Sequence, residues 1–448
     1  MSILNVNKIN PVGGGSTITI AGIASVTNAV SVGNSVTAGS FVGPIEGNVT
    51  GNVTGDATGL SGNPSINTTG IVTATSFVPT VGQLSHRNIL INGAMTVAQR
   101  GVSSTTNGFG SVDRYYVGYN AVDEAPTQAQ ADISAGTTPY TLGFRKSLKI
   151  TNGNQTSGAG AGEYIFINMA QEAQNLATSG WNYKSSSSFI TLSFWIKSSV
   201  AQNFFFQFDV RDGTRQNYVM ETGSLTADTW TKITKVIPGN SNLTIDNDNG
   251  VGAYITFGVF WGTNYTASMS LETWGAASDS SKTPDNTSTW YTTNDSTLEF
   301  TGIQLEVGDT ATSYEHLTFV DELRRCQRYY YQVGGQRNDG GPDEPYGVIL
   351  PHAMNASSIR VKGVLQHPVN MRAAPNVSGG GSGTAKMQSG DNTSSSVLVY
   401  QSTWANSNST KYTWVDFSPN SGTISQVGYS GVLYANNDTY HLKVSAEL

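Results

Sequence analysis

The chain has 448 residues, only 12% of them charged, with a formal net charge of −7, 50 glycines and 1 cysteine. Its pI of about 5.2 does not fit the basic stripe that nucleic-acid binding needs, and one cysteine excludes an intrachain disulfide. Solubility must come from Ser, Thr, Asn, Gln and Gly, a profile closer to β-rich surface or fibre proteins than to cytosolic enzymes.

That length holds about three domains. "MSILNVNKIN" has no basic stretch leading into an apolar one, so no secretory signal is expected. No run approaches about 18 apolar residues, so no membrane insertion is expected.

The first region, 1–84, is repetitive. In "GNVTGNVTGDATG" glycine recurs at Gly47, Gly51, Gly55 and Gly59, and "VTAGSFV" at Val36–Val42 returns as "VTATSFV" at Val72–Val78. As a strand, this segment puts Gly and Val on one face and Asn, Thr and Asp on the other. A helix would stack glycines and β-branched residues, at up to about 1 kcal/mol each. So thin a strand cannot offset an ordering cost of roughly 1–2 kcal/mol per residue. The region is therefore either a flexible linker or a β shaft whose missing core comes from other chains. Recurring Ile18, Ile20, Val26, Val30, Val32 and Val36 favour the shaft. Sequons at Asn48, Asn52 and Asn67 read as ordinary β surface.

From 85 to 318 the texture changes to short β-branched and aromatic runs such as "EYIFINM", "SFITLSFWIKS", "NFFFQFDVR", "GAYITFGVFW" and "TLEFTGIQLEV", separated by turn-rich segments. This pattern predicts a jelly-roll β-sandwich, with Phe194 and Ile196 facing one way and Ser193, Trp195 and Lys197 the other. One short helix is expected within "MAQEAQNLATSG". A connecting helix is predicted over 319–331, with Asp321 and Glu322 in its first turn, Arg324, Arg325 and Arg328 near its end, and an apolar stripe of Phe319, Leu323, Cys326 and Tyr330. The remainder, 332–448, reads as a small C-terminal β tip domain. The whole is mainly β.

"RNILINGAMTVAQRG" followed by "DRYY", then "TLSFWIKSS", "FTGIQLEVGDTATSYEHLTFVDELRRCQRYYYQ", "HPVNMRAAPNVS" and "YHLKVSAEL" resemble a family of bacteriophage tail-fibre, receptor-binding proteins. The distal part of such proteins is a carbohydrate-binding-module-like jelly roll. The likeness covers residues 86–448, and the glycine repeat resembles shaft repeats of marine and cyanobacterial phages. Where many relatives carry a second proline before "MRAAP", this chain has Asn370. The resemblance implies a homotrimeric fibre on the virion surface, joined through its N-terminus to other tail or virion proteins and reaching host cell-surface polysaccharide. Release by lysis would supply its route out of the cell. Alternatives are a non-binding decoration of head or tail and, further off, a polysaccharide depolymerase.

An enzyme of that last kind needs paired carboxylates about 5–10 Å apart. Asp209/Asp212 and Glu299/Glu306 are the pairs to weigh. The first reads as a turn with Asp212-Gly213 at its tip. The second, seven residues apart, falls on opposite faces of a regular strand. No catalytic residue is expected. His86, His316, His352, His367 and His441 are scattered without ligand spacing, Cys326 reads as a buried apolar residue, and "DNDNG" at Asp246–Gly250 as a turn in preference to a Ca²⁺ loop; no metal and no cofactor are expected. For a sugar, aromatic rings in polar loops are the candidates: Tyr265, Trp274, Trp290 and Tyr291, in the loop from Gly262 to Asp295. The same rings serve equally well to pin that loop down. A second set, Trp404, Trp414, Tyr429, Tyr434 and Tyr440, is read as packing between subunits.

Overall fold

The structure, a computed structural model, describes residues 85–334, 346–357, 360–380, 385–389, 395–403, 409–419, 430–435 and 440–448. The expected shaft over 1–84 lies outside them. Among the described residues the strands form two six-stranded sheets, one three-stranded sheet and a closed barrel.

The first sheet runs in the order β1 (Ser103–Ser104), β3 (Thr127–Asp132), β4 (Lys146–Thr151), β12 (Thr297–Val307), β6 (Phe189–Ser198), β9 (Thr231–Pro238). The second runs β11 (Trp274–Ala276), β8 (Gln216–Glu221), β7 (Phe205–Val210), β10 (Val251–Trp261), β5 (Tyr164–Glu172), β2 (Tyr116–Asn120). All the pairings within them are antiparallel. Alternation decides which residues meet between the sheets. Leu192, Phe194 and Ile196 of β6 bury against Phe206 and Phe208 of β7 and Ile255 and Phe257 of β10. Phe194 meets Phe206 and Phe257 edge-on, with centroids 5.1 and 5.0 Å away. Each such ring buried contributes roughly 1.5–3 kcal/mol.

Two of the register shifts in the sandwich decide which side chains face outward. In β12 the register to β6 shifts between Thr301 and Gln304, where Gly302 holds a φ of +63° that other residues rarely adopt. Glu299 and Glu306 consequently fall on the same, outer face, contrary to the regular-strand expectation. Their partners on β6 are Lys197 and Thr191, so their backbones stand about 20 Å apart at the strand rise. In β10 the register to β5 shifts between Gly258 and Phe260, which turns Phe260 into the core and Trp261 out of it.

Helix α1 (Thr138–Thr141) and Phe144 belong to a patch on the outer side of the first sheet, where Phe144 packs with Trp195, Trp230 and Tyr314. β5 persists to Glu172, so the helix expected nearby is only α2 (Ala173–Ala177). α3 (Thr289–Thr292) lies in the long loop before β12. α4 (Phe319–Gln327) is capped by Thr318, whose Oγ1 accepts from the Asp321 N–H at 3.3 Å. It is shorter than expected: Tyr330 already belongs to a strand, and Phe319 is 57% exposed. The inner part of the stripe holds, with Leu323 and buried Cys326 against Ile91, Val97 and Tyr329.

Beyond α4, β13 (Tyr330–Gly334), β21 (His441–Ser445) and β16 (Asn376–Gly380) make the three-stranded sheet. β14 (Tyr346–Ser357), β15 (Arg360–Gln366), β19 (Tyr412–Pro419), β18 (Ser395–Thr403), β17 (Ala385–Ser389) and β20 (Ser430–Ala435) close the barrel around Leu350, Val361, Leu398, Phe417 and Leu433. Three clamps fasten this part to the sandwich. Arg328 grips the Glu172 carboxylate with two bonds of 2.7 Å. Glu447 receives Arg100 at 3.0 Å and also pairs with Arg114. Asn249 and Arg372 exchange side-chain-to-backbone bonds of 2.6 and 2.8 Å, so the "DNDNG" turn serves as a latch.

Candidate functional site

The outer face of the second sheet is a groove of about 330 Å³. Its floor follows from register. Gly118 of β2, Phe166 of β5 and Gly258 of β10 stand in one row across three strands. The glycines leave room for rings to lie down on the sheet. A Cβ on Gly118 would sit 2.3 Å from the Phe166 ring, and one on Gly258 2.4 Å from Trp261 Nε1. Phe166 is nearly parallel to Trp261 (5.2 Å, 13°) on one side and to Tyr116 (6.1 Å, 19°) on the other. Tyr164 and Tyr265 complete this wall, each within 6 Å of Trp261. Trp261 is only 4% exposed, so it supports the platform, whereas Tyr164, Phe166, Tyr254 and Tyr265 are half-exposed at its surface.

Facing the rings is a charged rail. Asp209, at the end of β7, is 3% exposed, and its Oδ2 receives Arg211 at 2.9 Å and Arg215 at 2.8 Å. Its Oδ1 has no hydrogen-bond partner among the described residues, nor has Arg215 Nε. Arg215 reaches on to Asp279 at 3.2 Å, which Lys282 also holds at 3.0 Å. Lys282 and Arg215 keep the Asp279 carboxyl below its ordinary value of 3.8. Burial works against the Arg215 charge, but its bonds to Asp209 and Asp279 outweigh it and raise its pKa. Burial, with Tyr265 and Tyr116 adding, raises the Tyr164 phenol, which stays a neutral donor. Asn168, Gln207 and Thr256 supply uncharged hydrogen-bonding groups between rail and rings.

Of the four rings expected from sequence, Tyr265 lines this groove. Trp290 and Tyr291 are 0% and 1% exposed. α3 carries them into the sandwich core, where Tyr291 stacks on Phe260 at 4.1 Å, and a ring so enclosed offers no face to a ligand. Trp274 is a half-buried pin at the sheet edge, donating to Pro238 O at 2.7 Å and packed on Tyr218. In the second aromatic set, Tyr440 is buried, Trp414 is 39% exposed on the barrel, and Trp404 and Tyr429 lie outside the described residues. Apart from Asp209, the carboxylates of the two weighed pairs are engaged elsewhere. Asp212 accepts the Asp246 N–H at 2.9 Å next to Gly213, whose φ is +61°. Glu299 holds Lys197 and Ser147, both at 2.9 Å, and Glu306 accepts Gln304 and Thr312. His316 bonds Leu142 O at 2.9 Å, and His367 lies between Tyr331 and Thr413.

Sequence reasoning missed Tyr164, Phe166, Trp261 and Arg215, and it weighed Asp209 only as half of a catalytic pair. One signal was present: "YIFIN" alternates Tyr, Phe and Asn with isoleucines, so its second face is aromatic and polar where a solvated face would be polar only.

No protein-family model matches the chain, and no curated protein matches it in sequence. Among solved structures it is similar to a putative sugar binding protein from Bacteroides thetaiotaomicron, at 10% identity over 50% of this chain and 100% of that one, TM-score 0.28. It is also similar to a family 11 carbohydrate-binding module from Clostridium thermocellum in complex with a β-1,3-1,4-mixed-linked tetrasaccharide, at 12% identity over 48% and 98%, TM-score 0.22. A third is the enzymatically active domain of bacteriophage CBA120 tailspike protein 4, at 10% identity over 49% of this chain and 21% of that one, TM-score 0.27.

Proposed function

We propose that the chain binds glycan in the groove on the second sheet, and that it does so as a homotrimeric bacteriophage tail fibre adsorbing to host-surface polysaccharide without cleaving it. One observation carries the binding reading: half-exposed rings laid against the sheet, facing a rail of paired carboxylates and cations. A pyranose presents an apolar C–H face and a rim of hydroxyls, each both donor and acceptor, so it matches rings on one side and mixed-sign partners on the other. A purely apolar ligand would desolvate Asp209, Arg215 and Lys282 without replacing their hydrogen bonds, which costs several kcal/mol.

Binding without cleavage is supported by the separation of Glu299 from Glu306 and by the engagement of Asp209 with two arginines. The fibre role and the trimer rest on the resemblance of the segments quoted from 86 to 448, and the thin Gly/Val face of the first region supports association with other chains. The test is adsorption. Purified chain should have three times the 47.5 kDa mass in light scattering, bind host cells, and block phage adsorption unless Phe166 and Tyr265 are both changed to Ala. A folded protein that binds neither cells nor polysaccharide would mark it as a decoration, and shortening of the polysaccharide would mark it as a depolymerase.

A further inference from the structure

The groove does not end at the charged rail. Phe166, Asn168 and Tyr254 also border a second hollow of about 250 Å³, whose other walls are Phe109, Tyr116, Ala170 and Leu448. Its character differs: rings and aliphatic groups surround a single amide. The Asn168 Oδ1 accepts Thr256 Oγ1 at 3.2 Å, which leaves its NH₂ as the donor there. Leu448 comes from beyond the barrel, and the residue before it is fixed. Glu447 is held by Arg114 and Arg100. Arg114 also donates to Ala170 O at 2.7 Å, and Arg100 lies over the rings of Tyr330 and Phe109, at 3.4 and 5.2 Å. The C-terminal part thus completes a wall of a hollow that begins on the sandwich.

Building on the glycan reading, we propose that this hollow is a subsite for an acetyl group on the bound sugar chain. The acetyl carbonyl accepts from Asn168 Nδ2, and its methyl fills the space between Phe109, Tyr116 and Leu448. An unsubstituted hydroxyl would meet apolar walls there and lose hydrogen bonds to water, whereas a methyl gains by leaving water. An N-acetyl amide and an O-acetyl ester present the same carbonyl and methyl, so the two sources are separated by probe. The full-length protein would be titrated with tetra-N-acetylchitotetraose against cellotetraose, which has the same backbone linkage without acetamido groups. It would also be titrated with partially O-acetylated glucomannan before and after mild alkali.

The expected result is about tenfold tighter binding of at least one acetylated member of a pair. That preference should vanish in Leu448→Ala and in Phe109→Ala, with binding of the unacetylated partner unchanged, and should fall in Asn168→Asp. Melting curves identify any variant that unfolds, and either apolar variant suffices. Equal binding of acetylated and unacetylated members overturns the subsite and leaves the glycan reading standing. A preference that survives both apolar variants also overturns it. Absence of binding to all four probes counts against the glycan reading itself.

Discussion

The two sheets of the sandwich share a core, yet their outer faces have opposite fates. Residues 312–316 fold back over the first: Thr312 bonds Glu306, and the Glu315 N–H donates to Gln304 Oε1 at 2.9 Å. Glu306, 2% exposed, has its oxygens met by neutral donors within six residues. Asp209 on the other sheet is as deeply buried, but it is held by two guanidiniums, and one oxygen has no partner. A buried carboxylate satisfied by its own neighbourhood is architecture. One held by two cations beside half-exposed rings differs in kind, and the proposed glycan groove is built around it. The difference separates two carboxylates that look alike in sequence.

Changes to the enclosed rings should give the largest effect. Trp290→Ala removes a ring at 0% exposure and should cost about 3–5 kcal/mol, lowering the melting temperature by roughly 2–4 °C for each kcal/mol in a domain of this size. Glycan binding by the folded fraction should not change, as calorimetry would register. Weakened binding with normal melting would instead put Trp290 at the ligand.

On the open face the order reverses. Phe166→Ala with Tyr265→Ala removes two half-exposed rings, each worth about 0.5–1.5 kcal/mol in contact. Affinity should fall about tenfold or more, with a small change in melting. Unchanged affinity would break the contrast between the faces.

A smaller effect is expected from matched carboxylate changes. Asp209→Asn leaves Arg211 and Arg215 without their shared anion and should weaken binding by less than the double ring variant does, whereas Glu306→Gln should leave binding alone. Equal effects in a binding titration would show that both carboxylates are architectural.

The smallest is a pH effect. Because the folded-state pKa of Asp279 is depressed by Lys282 and Arg215, the charge chain is intact above the ordinary value of 3.8 and is lost as pH falls through the lower folded value. Affinity should therefore stay flat from neutral pH down to about 4 and decline only below. In Asp279→Asn that acid limb should be absent. A decline beginning near pH 6 would point to a different group.

The sequence by itself carried the β class, the sandwich, the α4 helix with its charge order, and the buried faces of Phe194 and Cys326. Each of these is local: alternation, helix spacing and turn chemistry are written in neighbouring residues. It also carried the warning in "YIFIN", where an aromatic and polar face replaced a plain solvated one. Only the tertiary structure decided which rings line the groove and which are enclosed. Period two places Trp261 inside with Ile255 and Phe257, and the bulge after Gly258, fixed by pairing with β5, turns it out. The same kind of slip at Gly302 puts Glu299 and Glu306 on one face. Trp290 and Tyr291 sit in a polar loop by sequence, yet α3 folds them into a core made by strands far along the chain. Bulges and loop closure depend on partners distant in sequence, and that is why aromatic residues so similar in local setting ended as a groove wall, an edge pin and a sealed core.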